Sequence, residues 1–173
     1  MACATSARAG MKEGDGELGF DFGATVWDED LGGKSGVLLK LRGGYNLTRH
    51  FEIEGQAGYS AYFYGPAVRN NNDFTVYQSM VQAFLSGVVN FPSRSGNVIP
   101  YVLAGAGATH TAFHAYVNDT STAWMAGGGS RFFFGERKRT AFRLEAAYLF
   151  DQAFEQSNRN LNLAMGFVWR LGD

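Results

Sequence analysis

From Glu17 onward, apolar and polar residues alternate with a period of two, the repeat of a strand whose faces meet unlike surroundings. Leu18, Phe20, Phe22, Ala24 and Val26 share one face; Glu17, Gly19, Asp21, Gly23 and Thr25 share the other. The pattern predicts a second strand over 34–47, with Val37, Leu39, Leu41 and Tyr45 opposed to Lys40, Arg42 and Asn46. In a third, Phe51, Ile53, Ala57, Tyr59, Ala61 and Phe63 alternate with Glu52, Glu54, Gln56, Ser60 and Tyr62. A fourth, over 74–91, sets Tyr77, Val81, Ala83, Leu85, Val89 and Phe91 against Gln78, Gln82, Ser86 and Asn90, with Met80, Phe84 and Val88 softening its polar face. The fifth, over 99–114, is so rich in Gly and Ala that its facing does not resolve. The sixth, over 122–134, puts Trp124, Ala126, Phe132 and Phe134 opposite Arg131. The seventh sets Phe142, Leu144, Ala146, Tyr148 and Phe150 against Arg143, Glu145 and Asp151. In the eighth, Leu161, Leu163, Met165, Phe167, Trp169 and Leu171 alternate with Asn160, Asn162, Gly166 and Arg170.

Eight strands and no helix suit an all-β, eight-stranded antiparallel up-and-down transmembrane barrel with a filled polar lumen, since closure removes exposed sheet edges. Each apolar row spans the roughly 9–11 residues that a tilted strand needs to cross a bilayer. No stretch offers the ~20 consecutive apolar residues of a membrane helix; the best, 98–108, is broken by Pro100, Gly105 and Gly107. Connections are expected at 28–33, 65–73, 115–121 and 153–157 on one side, and as turns at 48–50, 92–97 and 135–139 on the other.

Alternation alone does not say which face is inside, and a soluble lipocalin-like barrel would turn the apolar face inward. Three features favour the inverse. The polar face carries few charges, and their signs match: Asp21, Glu52, Glu54 and Glu145 stand against Lys40, Arg42, Arg131 and Arg143. Such groups can pair across a narrow lumen, and buried charges must be paired. Small neighbours such as Gly19, Gly58, Ser60 and Gly166 leave room for them. The apolar face has aromatics near both strand ends: Phe20, Tyr45, Phe51, Phe91, Phe142 and Trp169 at one level, and Tyr59, Phe63, Tyr77, Trp124 and Phe150 at the other. Two such lipid-facing girdles are what two bilayer interfaces select. Turning the four cations to lipid would cost ~8–16 kcal/mol at ~2–4 kcal/mol each, as much as a domain's whole net stability of ~5–15 kcal/mol.

Composition narrows the picture. The 173 residues suit one domain, and a formal net charge of −1 lacks the basic face of a nucleic-acid binder. Cys3 is the sole cysteine, so no intrachain disulfide forms. Residues 1–16 differ from the rest and read as a signal-peptide remnant or flexible N-terminal tail, with Ala7-Arg8-Ala9 fitting a cleavage site; residues 17–173 are the barrel domain. Cys3 after Ala2 suits an acylated cysteine, although the residues usually preceding one are missing.

The strand count, the run Pro100-Tyr101-Val102-Leu103-Ala104-Gly105-Ala106-Gly107 and the alternating last strand resemble the outer-membrane β-barrel superfamily of OmpA-type and OmpX-type proteins, over about 17–171. The resemblance implies a Gram-negative outer membrane, outer-membrane lipids as surroundings, and protein partners reached through outer loops or the barrel wall. Phe167 and Trp169 keep the family's C-terminal spacing, but Leu171-Gly172-Asp173 follows where such barrels end on an aromatic. No peptidoglycan-binding segment follows the barrel, so a wall-tethering role is not implied.

Candidate chemistry is sparse. His110 and His114 on one strand would lie ~13 Å apart, too far for one metal. The His-x-Ser arrangement of lipid-A-active barrels is replaced by His110-Thr111-Ala112. The Glu and Arg residues above read as structural pairs rather than an acid–base site. No phosphate loop, nucleophile elbow or metal signature occurs, and no cofactor is expected. The sequence therefore predicts a non-enzymatic envelope barrel with a structural or partner-binding role; a narrow solute channel, a lipid-A-modifying enzyme and a soluble barrel are the alternatives.

Overall fold

A computed structural model describes residues 13–27, 35–64, 75–92, 97–113, 117–135, 138–152 and 157–171. Eight antiparallel strands follow one another: β1 Gly16–Val26, β2 Ser35–Asn46, β3 Phe51–Tyr64, β4 Thr75–Asn90, β5 Val98–Phe113, β6 Val117–Phe134, β7 Thr140–Asp151 and β8 Asn158–Arg170. Each pairs with its sequence neighbours, and β8 closes on β1. Closure satisfies every strand's ladder on both sides, which a sheet in lipid requires.

The stagger is read from the pairing. A path across the strands from Gly16 passes Tyr45, Ile53, Gly87, Ala104, Ala126, Tyr148 and Leu161 and returns to β1 at Val26, ten residues along. With eight strands ~4.7 Å apart and ~3.3 Å per residue, that stagger gives a tilt of about 40°. The circumference is then small enough that side chains fill the inside.

The alternation translates into an inside-out protein. In β1, Glu17, Asp21 and Thr25 are buried, while Leu18 and Phe22 are 52% and 44% exposed. Leu41, Leu85 and Trp124 stand 63%, 64% and 67% exposed. Lys40, Arg131 and Arg143 are at most 2% exposed. A water-soluble barrel would reverse these figures.

Four expectations are revised or completed. The fifth strand has a definite facing: Ile99, Tyr101, Leu103, Thr109 and Thr111 are buried inside, and Val102 is exposed outside. The connection expected at 115–121 is shorter, because β6 begins at Val117 and pairs with Phe113. The lumen is less polar than the pattern suggests, since Met80, Phe84, Val88, Met125 and Leu149 are buried in it. Beside a register irregularity between Tyr62 and Phe63, Ala61 is buried although alternation places it outside.

The two rims differ. One, the terminal rim, carries Gly16, Leu171 and the three short turns; the β1–β8 seam closes there with the Leu171 amide donating to the Gly16 carbonyl at 2.8 Å. The opposite, distal rim carries the connections 27–34, 65–74, 114–116 and 152–157.

Candidate functional site: the interlocked lumen and the aromatic wall

The eight charged side chains singled out in the sequence all lie inside the barrel, each 5% exposed or less. Period-two alternation sends every second side chain inward, and the stagger brings β2, β3, β6 and β7 to similar height. Lys40 Nζ is 2.5 Å from Glu145 Oε1. Arg42 binds Asp21, and its Nη1 lies 2.9 Å from Glu54 and 3.1 Å from Glu145. Arg143 donates to Glu54 at 2.5 Å and to Glu145 at 2.6 Å. Arg131 donates to Glu52 at 2.8 Å and to the Asn90 side-chain oxygen at 2.9 Å. Glu54 thus joins β2 to β7 straight across the lumen.

Two further members were not singled out. Tyr101, on the strand whose facing was unresolved, accepts a hydrogen bond from Arg143 Nε at 2.6 Å and donates to Glu145 at 2.9 Å. Its ring faces the guanidinium carbons of Arg143 and Arg131 at 4.3 and 5.0 Å, so each cation meets π density as well as carboxylate. Gly129 makes room for it: a methyl there would overlap the Tyr101 hydroxyl and the Leu144 carbonyl oxygen. Glu17 is the other. It is buried, 3.7 Å from Arg131 Nε, and neither carboxylate oxygen has a hydrogen-bond donor among the described residues. Polar-face membership was the signal for Glu17; Tyr101 offered none, because the facing of its strand does not resolve in the sequence.

The charged groups occupy the half of the lumen toward the terminal rim. The distal half is filled by Trp27, Leu38, Met80 and Leu149 and by a polar set in which Asn162 bridges Thr25 and Gln82, while Asn158 and Asn160 donate to Asp151. Side chains therefore cross the bore at both levels.

The outer wall carries the aromatics. Allowing for the tilt, Tyr45, Phe51, Phe91, Phe142 and Trp169 fall within about 5 Å of one height, and Tyr59, Trp124 and Phe150 lie about 20 Å higher. Phe20, grouped with the first level by its place in the strand, stands between the two because it pairs with Leu41 and Phe167. The side chains of Phe63 and Tyr77 lie outside the described set. A shallow apolar groove of about 720 Å³ runs down the wall between Ala24, Gly128, Phe132, Leu144 and Met165.

The His110 Nδ1 and Thr120 Oγ1 are 2.7 Å apart on the outside of the β5–β6 hairpin, and His114 lies outside the described residues. Among the described residues no cluster of three or more metal-ligating side chains occurs.

The chain is similar in structure to Neisserial surface protein A, with a TM-score of 0.72 at 13% identity over 91% of this chain and 99% of that one. Ail, the attachment invasion locus protein of Yersinia pestis, gives 0.60 at 16%, over 92% and 99%. The outer membrane enzyme PagL gives 0.51 at 14%, over 88% and 98%. At such identities the likeness is one of fold. No curated protein sequence matches the chain. The model of the outer membrane protein beta-barrel domain matches residues 1–170. The inverted barrel, its buried charges and that match make the chain a member of the outer membrane protein beta-barrel domain family, resident in the outer membrane.

Proposed function

We propose that the protein is a non-enzymatic envelope barrel that works through its wall and its distal connections, as a structural element or as a docking component of a larger assembly. The observation that carries this reading is the interlocked lumen. Arg42, Arg143, Glu54 and Glu145 are tied to one another across the bore, and separating buried partners costs ~3–5 kcal/mol. Solute passage would require that separation, so transport through the interior is disfavoured and contact is left to the outside. The rim that carries Gly16 and Leu171 is assigned to the periplasm, because outer-membrane barrels place short turns there and longer connections outside. The aromatic levels are assigned to the two bilayer interfaces, with outer-membrane lipids covering the wall between them.

PagL is an enzyme with this fold, but a shared fold does not carry chemistry with it. On the wall of this chain, His110 is paired with a threonine hydroxyl rather than a carboxylate. Affinity capture from detergent-solubilised outer membranes tests the docking role: reproducible partners support it, and a solitary barrel opposes it. Planar-bilayer recording of the purified protein tests the closed lumen. Conductance near background is expected, and well-resolved openings would replace this reading with that of a solute channel.

A further inference from the structure

Among the described residues, the half of the lumen toward the terminal rim has one carboxylate more than it has cations. Glu17, Asp21, Glu52, Glu54 and Glu145 stand there against Lys40, Arg42, Arg131 and Arg143, all 5% exposed or less. At its mouth Asp15 and Arg170 pair and cancel. Buried charge without a counter-charge is costly, and the excess falls on Glu17. Neither of its carboxylate oxygens has a hydrogen-bond donor among the described residues. Arg131 Nε stands 3.7 Å away, while the Nη groups of that arginine go to Glu52 and Asn90.

Other oxygens share this corner. In the ladder Glu17 faces Gly44 on β2, and the next inward pair toward the rim is Asn46 with Glu52 on β3. Gly44 has no side chain to fill the space between β1 and β3, and Glu52 leans into it: a methyl on Gly44 would overlap Glu52 Oε1. That oxygen has no donor among the described residues. Neither does Asn46 Oδ1, whose amide nitrogen is turned to the Asp15 carbonyl at 3.2 Å. Residues opposite one another in a ladder lie only about 5 Å apart. Four buried acceptor oxygens, from Glu17, Glu52 and Asn46, therefore border one gap over Gly44.

We infer that this gap is a binding site for one small monovalent cation, held by the Glu17 and Glu52 carboxylates and the Asn46 amide oxygen. Oxygen donors suit a hard ion. A single positive charge brings the five carboxylates and four cations to neutrality. A divalent ion would leave a surplus positive charge beside Arg131, and calcium takes ~6–8 oxygens where four are offered. The bound ion ties β1 to β3 over Gly44, beside the strand that closes on β8. It acts as a counter-ion and a clamp, independently of any partner at the distal rim.

Urea unfolding of the full chain in phosphatidylcholine vesicles tests the site, with sodium chloride exchanged for choline chloride at constant ionic strength. Sodium is the probe, and choline is too bulky for the gap. Because an ion that binds only the folded barrel stabilises it by mass action, the unfolding constant is expected to be roughly two- to fivefold lower in sodium. Glu17→Gln balances the charges without an ion, so it should unfold alike in both salts. Equal unfolding of the parent in the two salts overturns the proposal. So does a sodium effect that Glu17→Gln retains, since it then arises elsewhere on the barrel or in the bilayer. Stabilisation by calcium but not by sodium overturns the charge class. Stability that ignores sodium and tracks pH instead gives the fifth carboxylate a proton and overturns the site as well. Folding of the variant is checked by the gel shift between boiled and unboiled samples. If Glu17→Gln fails to fold, sodium-23 resonance of the parent in the same vesicles takes its place: line broadening beyond that of empty vesicles supports the site, and its absence overturns it.

Discussion

Tyr101 shows how much a single position can organise. Its hydroxyl links Arg143 to Glu145 while its ring covers two guanidinium groups. Tyr101→Phe keeps the ring and deletes the link, so it should destabilise the barrel by about 1–3 kcal/mol, measured by urea unfolding in lipid vesicles. Glu54→Gln strips a charge that three arginines face and should cost more, about 3–5 kcal/mol. Glu17→Gln is the opposite case. The half of the lumen toward the terminal rim holds five carboxylates, from Glu17, Asp21, Glu52, Glu54 and Glu145, against the four cations Lys40, Arg42, Arg131 and Arg143, and Glu17 has the loosest partner. Its neutralisation should change stability by less than about 1 kcal/mol in either direction. The charged members of this network were readable in the sequence because a charge on a strict polar face has only two places to go. Tyr101 was not readable: an aromatic suits lumen and lipid equally, and its strand gave no parity.

At the scale of the strand, alternation is legible only where the two environments demand different chemistry. β1, β7 and β8 set charges or amides among their inward positions against mostly large apolar groups outside, and their facing was plain. β5 has Ile99, Tyr101 and Leu103 inside and Ala104, Ala106 and Ala108 outside. Both faces are uncharged, so hydropathy loses its period although the pleat keeps it. The start of β6 was hidden for a related reason: Asn118-Asp119-Thr120-Ser121 is turn-like in composition, yet it pairs residue by residue with β5. Depth along a strand was misjudged only where tilt matters, as at Phe20. Depth also sets the cost of a misplaced charge. Leu85→Arg, near mid-wall, should lose about 2–4 kcal/mol. Leu47→Arg at the terminal rim should lose about 0–1 kcal/mol. Equal losses in vesicle unfolding would contradict the assigned depths.

For the whole molecule, fold and membrane residence follow from the same inversion, and both were contained in the alternation together with the pairing of charge signs. Specific activity was not, because alternation and charge pairing report which surroundings a side chain meets and carry no signal of what an outward-facing residue binds. On the proposed docking role, partner contacts are expected at the distal rim, which carries the longer connections. Exchanging connections 28–34 and 65–74 for short glycine-serine turns should therefore abolish any captured partner while leaving the boiled-versus-unboiled gel shift intact.

The bond from Leu171 to Gly16 has a topological meaning. The described chain starts and stops side by side on one rim, in a sheet where every pair of strands adjacent in space, apart from β1 and β8 at the seam, is also adjacent in sequence. The polypeptide is then a ring cut at one of its four terminal-rim crossings, and the cut can be moved. A circular permutant joined across this seam and opened within 48–50 should insert and close as the same barrel, with the old seam become an ordinary hairpin.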